Sequence, residues 1–166
     1  MHTTTRLLPA AAVAATAAAG AAATTPDDAW YRRLEKPSWQ PPPQAFGLVW
    51  TPVYTLIAYS AYRVLPRLDG PARRRYAAAF AGNMLLNAGW TWVFFRARRP
   101  RAAVAEIAAL QASNADLLRR SWAADRRAGA ALLPYVAWTG FATALNTAIA
   151  RRNPGADGRG RRGGAR

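Results

Sequence analysis

Four long stretches of this chain carry no charge: Leu7–Pro26, Pro37–Tyr62, Tyr76–Phe95 and Ala128–Ala150. Clusters of arginine separate them. About 20 apolar residues rising 1.5 Å each cross a bilayer core. The pattern therefore predicts membrane helices joined by basic loops. A fifth stretch, Ala102–Leu118, is weaker, because it carries Glu106, Gln111, Asn114 and Asp116. The expected fold class is an all-α integral membrane protein, a five-transmembrane-helix bundle. Its spans fall at about 7–23, 46–65, 74–95, 101–120 and 127–151.

Prolines punctuate the pattern. Pro37, Pro41, Pro42 and Pro43 are expected to exclude a regular helix from the first loop, 24–45. Pro66 and the Gly70-Pro71 pair end the second span, Pro100 separates the third from the fourth, and Pro154-Gly155 closes the fifth. Pro52 lies near the first turns of the second span, where a missing N–H is tolerated, and Pro134 inside the fifth should bend it slightly, which a bundle tolerates where neighbours satisfy the freed carbonyls. Residues 154–166 are rich in Gly and Arg and are expected to be disordered. The first span also fits a cleaved signal peptide, with Arg6, an apolar stretch and small residues at Ala21 and Ala23. Cleavage there would leave the tryptophan-bearing loop at the extreme N-terminus with nothing to hold it, which favours a retained helix.

Bulk numbers change this picture little. The mean hydropathy, −0.12, averages over segregated neutral runs and arginine clusters. The 166 residues suffice for one domain, 1–153. A net charge of +15 and seven Trp raise nucleic-acid binding. The arginines mark the ends of apolar runs rather than one face, so they read as lipid-headgroup anchors, and no nucleic-acid partner is expected. There is no Cys, and the one His is His2. No thiol chemistry, no metal site and no obligatory cofactor are expected. The positive-inside comparison sets ten cations on one side against thirteen on the other, so orientation stays undecided. A bacterial cell membrane is the expected location.

Inside the spans, polar and aromatic residues recur at helical spacing. Phe46, Trp50 and Tyr54 share a face of the second span, as do Asn83, Asn87 and Trp90 in the third. Tyr135, Trp138, Ala142 and Asn146 share a face of the fifth. Polar groups facing lipid are costly, so these stripes should point inward and line an aromatic cavity suited to a planar apolar ligand. The competing reading makes the asparagines inter-helix glue and the tryptophans interfacial anchors, with Trp90, Trp92, Phe94 and Phe95 as belt residues. Glu106 is expected to pair with Arg101, and Asp116 with Arg119 or Arg120. Ala78 and Gly82 form a small-residue pair on the third span, and the first span is mostly Ala, which predicts a homodimer through these two helices.

Three segments carry a resemblance. WYRRLEKPSWQPPPQAFGLVWTPVY (Trp30–Tyr54), LLNAGWTWVFF (Leu85–Phe95) and LLPYVAWTGFATALN (Leu132–Asn146) together resemble the TspO/MBR family of tryptophan-rich sensory and translocator proteins. The match runs from the first span to about Asn153 and is weakest in the fourth. The resemblance implies a five-helix bundle whose pocket is closed by the first loop, with Trp30, Lys36, Pro37, Trp39, Pro41 and Pro42 in that lid. It implies binding of porphyrins such as protoporphyrin, with contacts at Trp50 and Trp138 and the family's Asn and Trp at Asn87 and Trp90. It also implies a photochemical role for Trp50 and Trp138 as an alternative to sensing or transport. A membrane scaffold acting through partner proteins is a third possibility. The late cholesterol-recognition segment of some members lacks its Tyr here, since Leu145–Arg152 reads LNTAIARR, so sterol binding is not expected. The spans hold no His or Cys, and Met84, Tyr54, Tyr59, Tyr62, Tyr76 and Tyr135 remain as poorer axial ligands for haem iron, so metal-free porphyrin is expected to bind about as well as haem.

Overall fold

The computed structural model describes residues 2–157, with side chains from Leu7 onward. Five long helices dominate: α1 (His2–Ala23), α3 (Pro43–Val64), α4 (Gly70–Thr91), α5 (Pro100–Ala124) and α6 (Arg126–Arg152). They pack as a closed ring in the order α1, α3, α6, α5, α4 and back to α1. The shortest have 22 residues, about 33 Å at 1.5 Å per residue, enough to span a bilayer core. Among the described residues, only α6 is both long and apolar enough to be recognised as a span by composition alone. Alanine and the terminal arginines dilute the signal in the others.

One element was not expected. The first loop contains a short helix, α2 (Ala29–Arg33). Asp28 caps it by accepting from the Trp30 amide at 2.7 Å. That bond, with Arg98 beside it, holds the Asp28 carboxyl below the usual carboxylate range. Lys36 closes the other end: its ammonium donates to the carbonyls of Tyr31 (2.7 Å) and Leu34 (3.2 Å). The prolines act only after this turn, from Pro37 onward.

The end of α4 also departs from a plain helix. Trp92–Arg96 form a wider π-helical turn, in which the Ala97 amide donates to the Trp92 carbonyl at 2.8 Å. Arg98 follows with φ 53°, a left-handed conformation uncommon for a side-chain-bearing residue. It reaches Asp28 across the lid at 2.8 Å.

The first residues of the segment expected to be disordered, from Pro154, are ordered. Residues 154–157 form a turn against the lid, where the Trp30 indole donates to the Ala156 carbonyl at 3.3 Å. Asn153 exchanges two hydrogen bonds with the Glu35 backbone, each 2.9 Å. The rest of the expected tail lies outside the described residues.

Apolar side chains fill the ring at two levels. Val53, Ile57, Val64, Phe80, Met84, Leu117 and Leu132 pack towards the end away from the lid. Trp30, Leu34, Phe94, Leu145 and Ile149 pack beneath it. Between them runs a chain of polar groups. Tyr54 Oη donates to Asn87 Oδ1 (2.9 Å), Asn87 Nδ2 to Tyr135 Oη (3.0 Å), and Tyr135 Oη to Asn83 Oδ1 (3.0 Å). Asn83 Nδ2 donates to Asn114 Oδ1 (2.7 Å), and Asn114 Nδ2 to Gln111 and Thr139 (2.9 and 2.8 Å). The chain ties α3, α4, α6 and α5 together.

Tyr135→Phe tests this tie, since it removes one hydroxyl at almost constant volume and strands Asn87 and Asn83. A buried orphaned polar group costs about 1–3 kcal/mol, and hydrogen bonds between membrane helices sit at the low end of that range. We expect the thermal midpoint in detergent to fall by several degrees. An unchanged midpoint would show that the chain does not fix the helices.

Candidate functional site

A cavity of about 160 Å³ lies beneath the lid, smaller than the usual small-molecule site. Its lining comes from the lid, α3, α4, the π turn and α6, with none from α1 or α5. Phe46 and Trp50 come from α3, Trp90 and Thr91 from α4, and Phe94 and Phe95 from the π turn. Ala142, Leu145, Asn146 and Ile149 come from α6. The lid supplies Tyr31 and Gln40, with Thr24, Pro26 and Pro43 at its two ends. The walls are aromatic, and the rings brace one another. Trp90 stacks on Phe94 at 5.6 Å, Phe94 meets Phe95 edge-on at 4.9 Å, and Trp50 stacks on Tyr54 at 4.9 Å.

Five of the residues expected at the site therefore meet in it: Phe46, Trp50, Trp90, Ala142 and Asn146. Asn146 has spent its polar atoms, because Oδ1 accepts from the Trp90 indole at 2.8 Å and Nδ2 donates to the Pro100 carbonyl at 2.9 Å. That bond fixes the Trp90 ring plane against the cavity. Asn87, Tyr54 and Tyr135 do not line the cavity. They belong to the polar chain below it, where each is already bonded.

Trp138 requires a correction. The stripe on α6 placed it in the same cavity as Trp50. Its ring instead lies behind Phe46, 5.7 Å away edge-on, and stacks on Phe141 at 5.3 Å. It faces a shallow outer groove with Leu48, Pro52, Leu56 and Pro134. The physical reason is room: Phe46 fills the space between the indole and the cavity.

Phe94 and Phe95 also move relative to expectation. Both line the cavity rather than a lipid-facing belt, because the wider turn brings consecutive residues inward. Trp92 stays outside, 48% exposed, its indole donating to the Ala19 carbonyl at 3.2 Å. Tyr31 and Gln40 were missed for a different reason: they sit in a loop, where no periodicity marks an inward face.

Among the lid residues expected to matter, Trp30 is a wall rather than a lining. It is buried and meets Phe94 edge-on at 5.9 Å. Pro37 is buried, Pro41 half-buried and Pro42 exposed. Trp39 remains exposed, with one edge on Phe141 at 5.7 Å. Lys36 holds α2 together and also lies 4.6 Å from the centre of the Tyr31 ring. Burial holds its ammonium below the usual lysine value.

The charged residues of α5 divide. Asp116 pairs with Arg119 at 2.7 Å and with Arg120, as expected. Glu106 does not reach Arg101. Its two carboxylate oxygens are buried with no hydrogen-bond partner, tucked beside Gly89, where a Cβ would meet Oε1 at 3.5 Å. It does not line the cavity. Among the described residues there is no cluster of three metal-ligating side chains.

The profile of the TspO/MBR family matches residues 7–152. The chain is 36% identical to the tryptophan-rich sensory protein of Cereibacter sphaeroides, over 76% of this chain and 78% of that protein. It is 34% identical to protein CrtK of Rhodobacter capsulatus, over 76% and 80%. It is 32% identical to the human translocator protein, over 76% of each. A helical ring with a tryptophan-lined cavity under its first loop, matched along nearly its whole length by one membrane-protein family, belongs to that family: this chain is a member of the TspO/MBR family.

Proposed function

We propose that the protein binds a porphyrin in the cavity beneath the lid and acts as a membrane sensor or transporter of tetrapyrroles. The observation that carries this reading is the cavity itself. Its walls are mostly ring faces and edges, it is roofed by an ordered loop, and it has few polar atoms. A large planar apolar ligand matches such a surface through stacking and burial. The names of the relatives, a tryptophan-rich sensory protein and translocator proteins, agree with a sensing or transporting role. No general acid, nucleophile or metal cluster lines the cavity, so porphyrin would be held by ring contacts. Trp50, stacked on Tyr54, is with Trp90 one of two oxidisable indoles that line the cavity, and it supports a second reading, light-dependent porphyrin breakdown. Trp138 is one ring further from the ligand in that scheme.

Homodimerisation through α1 and α4 is part of the proposal. Ala78 is exposed and Gly82 half-buried on α4, and Leu85 on the same side is 74% exposed. A Cβ added at Gly82 would meet nothing within 4 Å of the same chain. Ala78→Leu with Gly82→Leu should therefore leave the protomer folded yet yield monomers. A detergent-corrected mass unchanged from the dimer would remove this interface.

The lid should control exchange. Asn153→Ala removes both hydrogen bonds to Glu35, and we expect porphyrin to dissociate several-fold faster in stopped-flow quenching. A dissociation rate equal to that of the unmutated protein would mean the lid is held elsewhere.

Titration of detergent-purified protein with protoporphyrin, in the dark and in light, tests the reading as a whole. Stacking on an aromatic side chain is worth about 1–3 kcal/mol, so Trp50→Ala should weaken binding roughly 5–150-fold. Trp138→Ala should weaken it less than ~3-fold, because Phe46 still closes that wall. Trp50→Phe should recover binding; if breakdown occurs, it should be lost in this variant. Normal binding by folded Trp50→Ala would place the ligand outside this cavity.

A further inference from the structure

One polar atom in the cavity region is out of place. Gln40 Oε1 is buried and has no hydrogen-bond partner. The other end of the amide, Nε2, donates only to Tyr31 Oη, at a long 3.4 Å. Rotating the amide by 180° exchanges the two ends and leaves Nε2 unpaired instead. In either orientation one end of Gln40, at the cavity wall, has nothing to bond. The backbone gives the residue little freedom to turn away, because its amide closes a turn on the Pro37 carbonyl at 3.0 Å. A buried amide without a partner is unfavourable by itself. It becomes favourable once a ligand supplies the missing partner.

The surroundings say what kind of partner. Tyr31 lines the cavity beside Gln40, and burial pushes its phenol pKa up, so it stays a neutral hydroxyl able to donate. The lid end of the bundle is cationic. Residues 24–45, 96–101 and 151–157 carry nine Arg or Lys against four carboxylates. An anionic group at this edge is attracted, whereas a cationic one is repelled. A carboxyl also fits the amide chemically: it accepts from Nε2–H and from the Tyr31 hydroxyl, and in its neutral form it donates to Oε1.

We infer that Gln40, with Tyr31, receives a carboxyl group on the edge of the ligand, so that the cavity selects planar aromatic acids over their neutral counterparts. Trp50, Trp90 and Phe94 hold the ring system, and Gln40 fixes which edge faces the lid. This rests on the reading of the cavity as a porphyrin site, and it names the part of the porphyrin that is recognised.

The test compares protoporphyrin with its dimethyl ester, which keeps the ring and loses the acid. Both are titrated by tryptophan-fluorescence quenching into the full detergent-purified chain, its Gln40→Leu variant and its Gln40→Glu variant. Partitioning of the ester into detergent cancels when each ligand is compared between variants. A hydrogen bond to a charged group corresponds to a factor of ~10 or more in affinity. Gln40→Leu should weaken the diacid by ~10-fold and leave the ester within ~2-fold. Gln40→Glu should weaken the diacid further, through like-charge repulsion, and again spare the ester. Intact ester binding in the variants shows that they are folded. Equal losses for both ligands in Gln40→Leu, or no loss for either, would overturn the inference while leaving porphyrin binding in place. If neither ligand binds the unmutated protein, the porphyrin reading falls, and this inference with it.

Discussion

Four helices of this bundle are held in register by one constraint: a polar group inside an apolar ring has no water to turn to. Asn83, Asn87, Asn114, Tyr54 and Tyr135 have satisfied that constraint with one another. Apolar contact between helices in lipid discriminates poorly among registers, because lipid tails are as apolar as leucine. A hydrogen-bond chain does discriminate. A slide of one turn along α4 moves Asn83 and Asn87 about 5.4 Å from their partners and strands them all together. Alanine-rich helices with smooth surfaces have particular need of such pins. The helix outside the chain, α1, touches α3 and α4 through small and apolar residues such as Val13, Gly20 and Ala12.

The same constraint decides what the cavity is. The polar side chains that would make it hydrophilic are occupied one layer below, or, like Asn146, are turned to hold Trp90 and the start of α5. What remains exposed to the cavity is mostly ring. The unpartnered amide of Gln40 sits instead in the lid, the part of the site built on backbone turns and caps. Asp28–Arg98, Lys36 on the α2 carbonyls and Asn153 on Glu35 give that loop a fixed shape without a core of its own. The spans thus supply the aromatic walls, and the separately latched loop supplies the roof.

Much of the fold is legible in the chain, since charge is expensive in lipid and arginine marks where each span must end. The inward faces are legible too, because Asn and Trp recur at three and four. Periodicity gives an angle around a helix axis, however, and not what lies between a side chain and the centre. Trp50 and Trp138 have equivalent angles, yet Phe46 stands in front of one and not the other. Tyr135 and Asn87 point inward and are already bonded to each other. The loop hides its contribution altogether. Nothing in the spacing of Tyr31 and Gln40 separates them from their exposed neighbours Arg32 and Trp39.

The π turn at Trp92–Arg96 stores one residue more than an α-helix of the same height would hold. Its length is therefore information, independent of its composition. Deleting any single residue there would restore an ordinary helix, and the effect downstream would be a rotation rather than a shortening. Phe94 and Phe95 could no longer both face inward. Arg98 would swing away from Asp28, and Pro100 would present its carbonyl to something other than Asn146. Substitutions in this segment change a wall of the cavity; a change in its residue count re-aims the wall, the lid latch and the next helix at once.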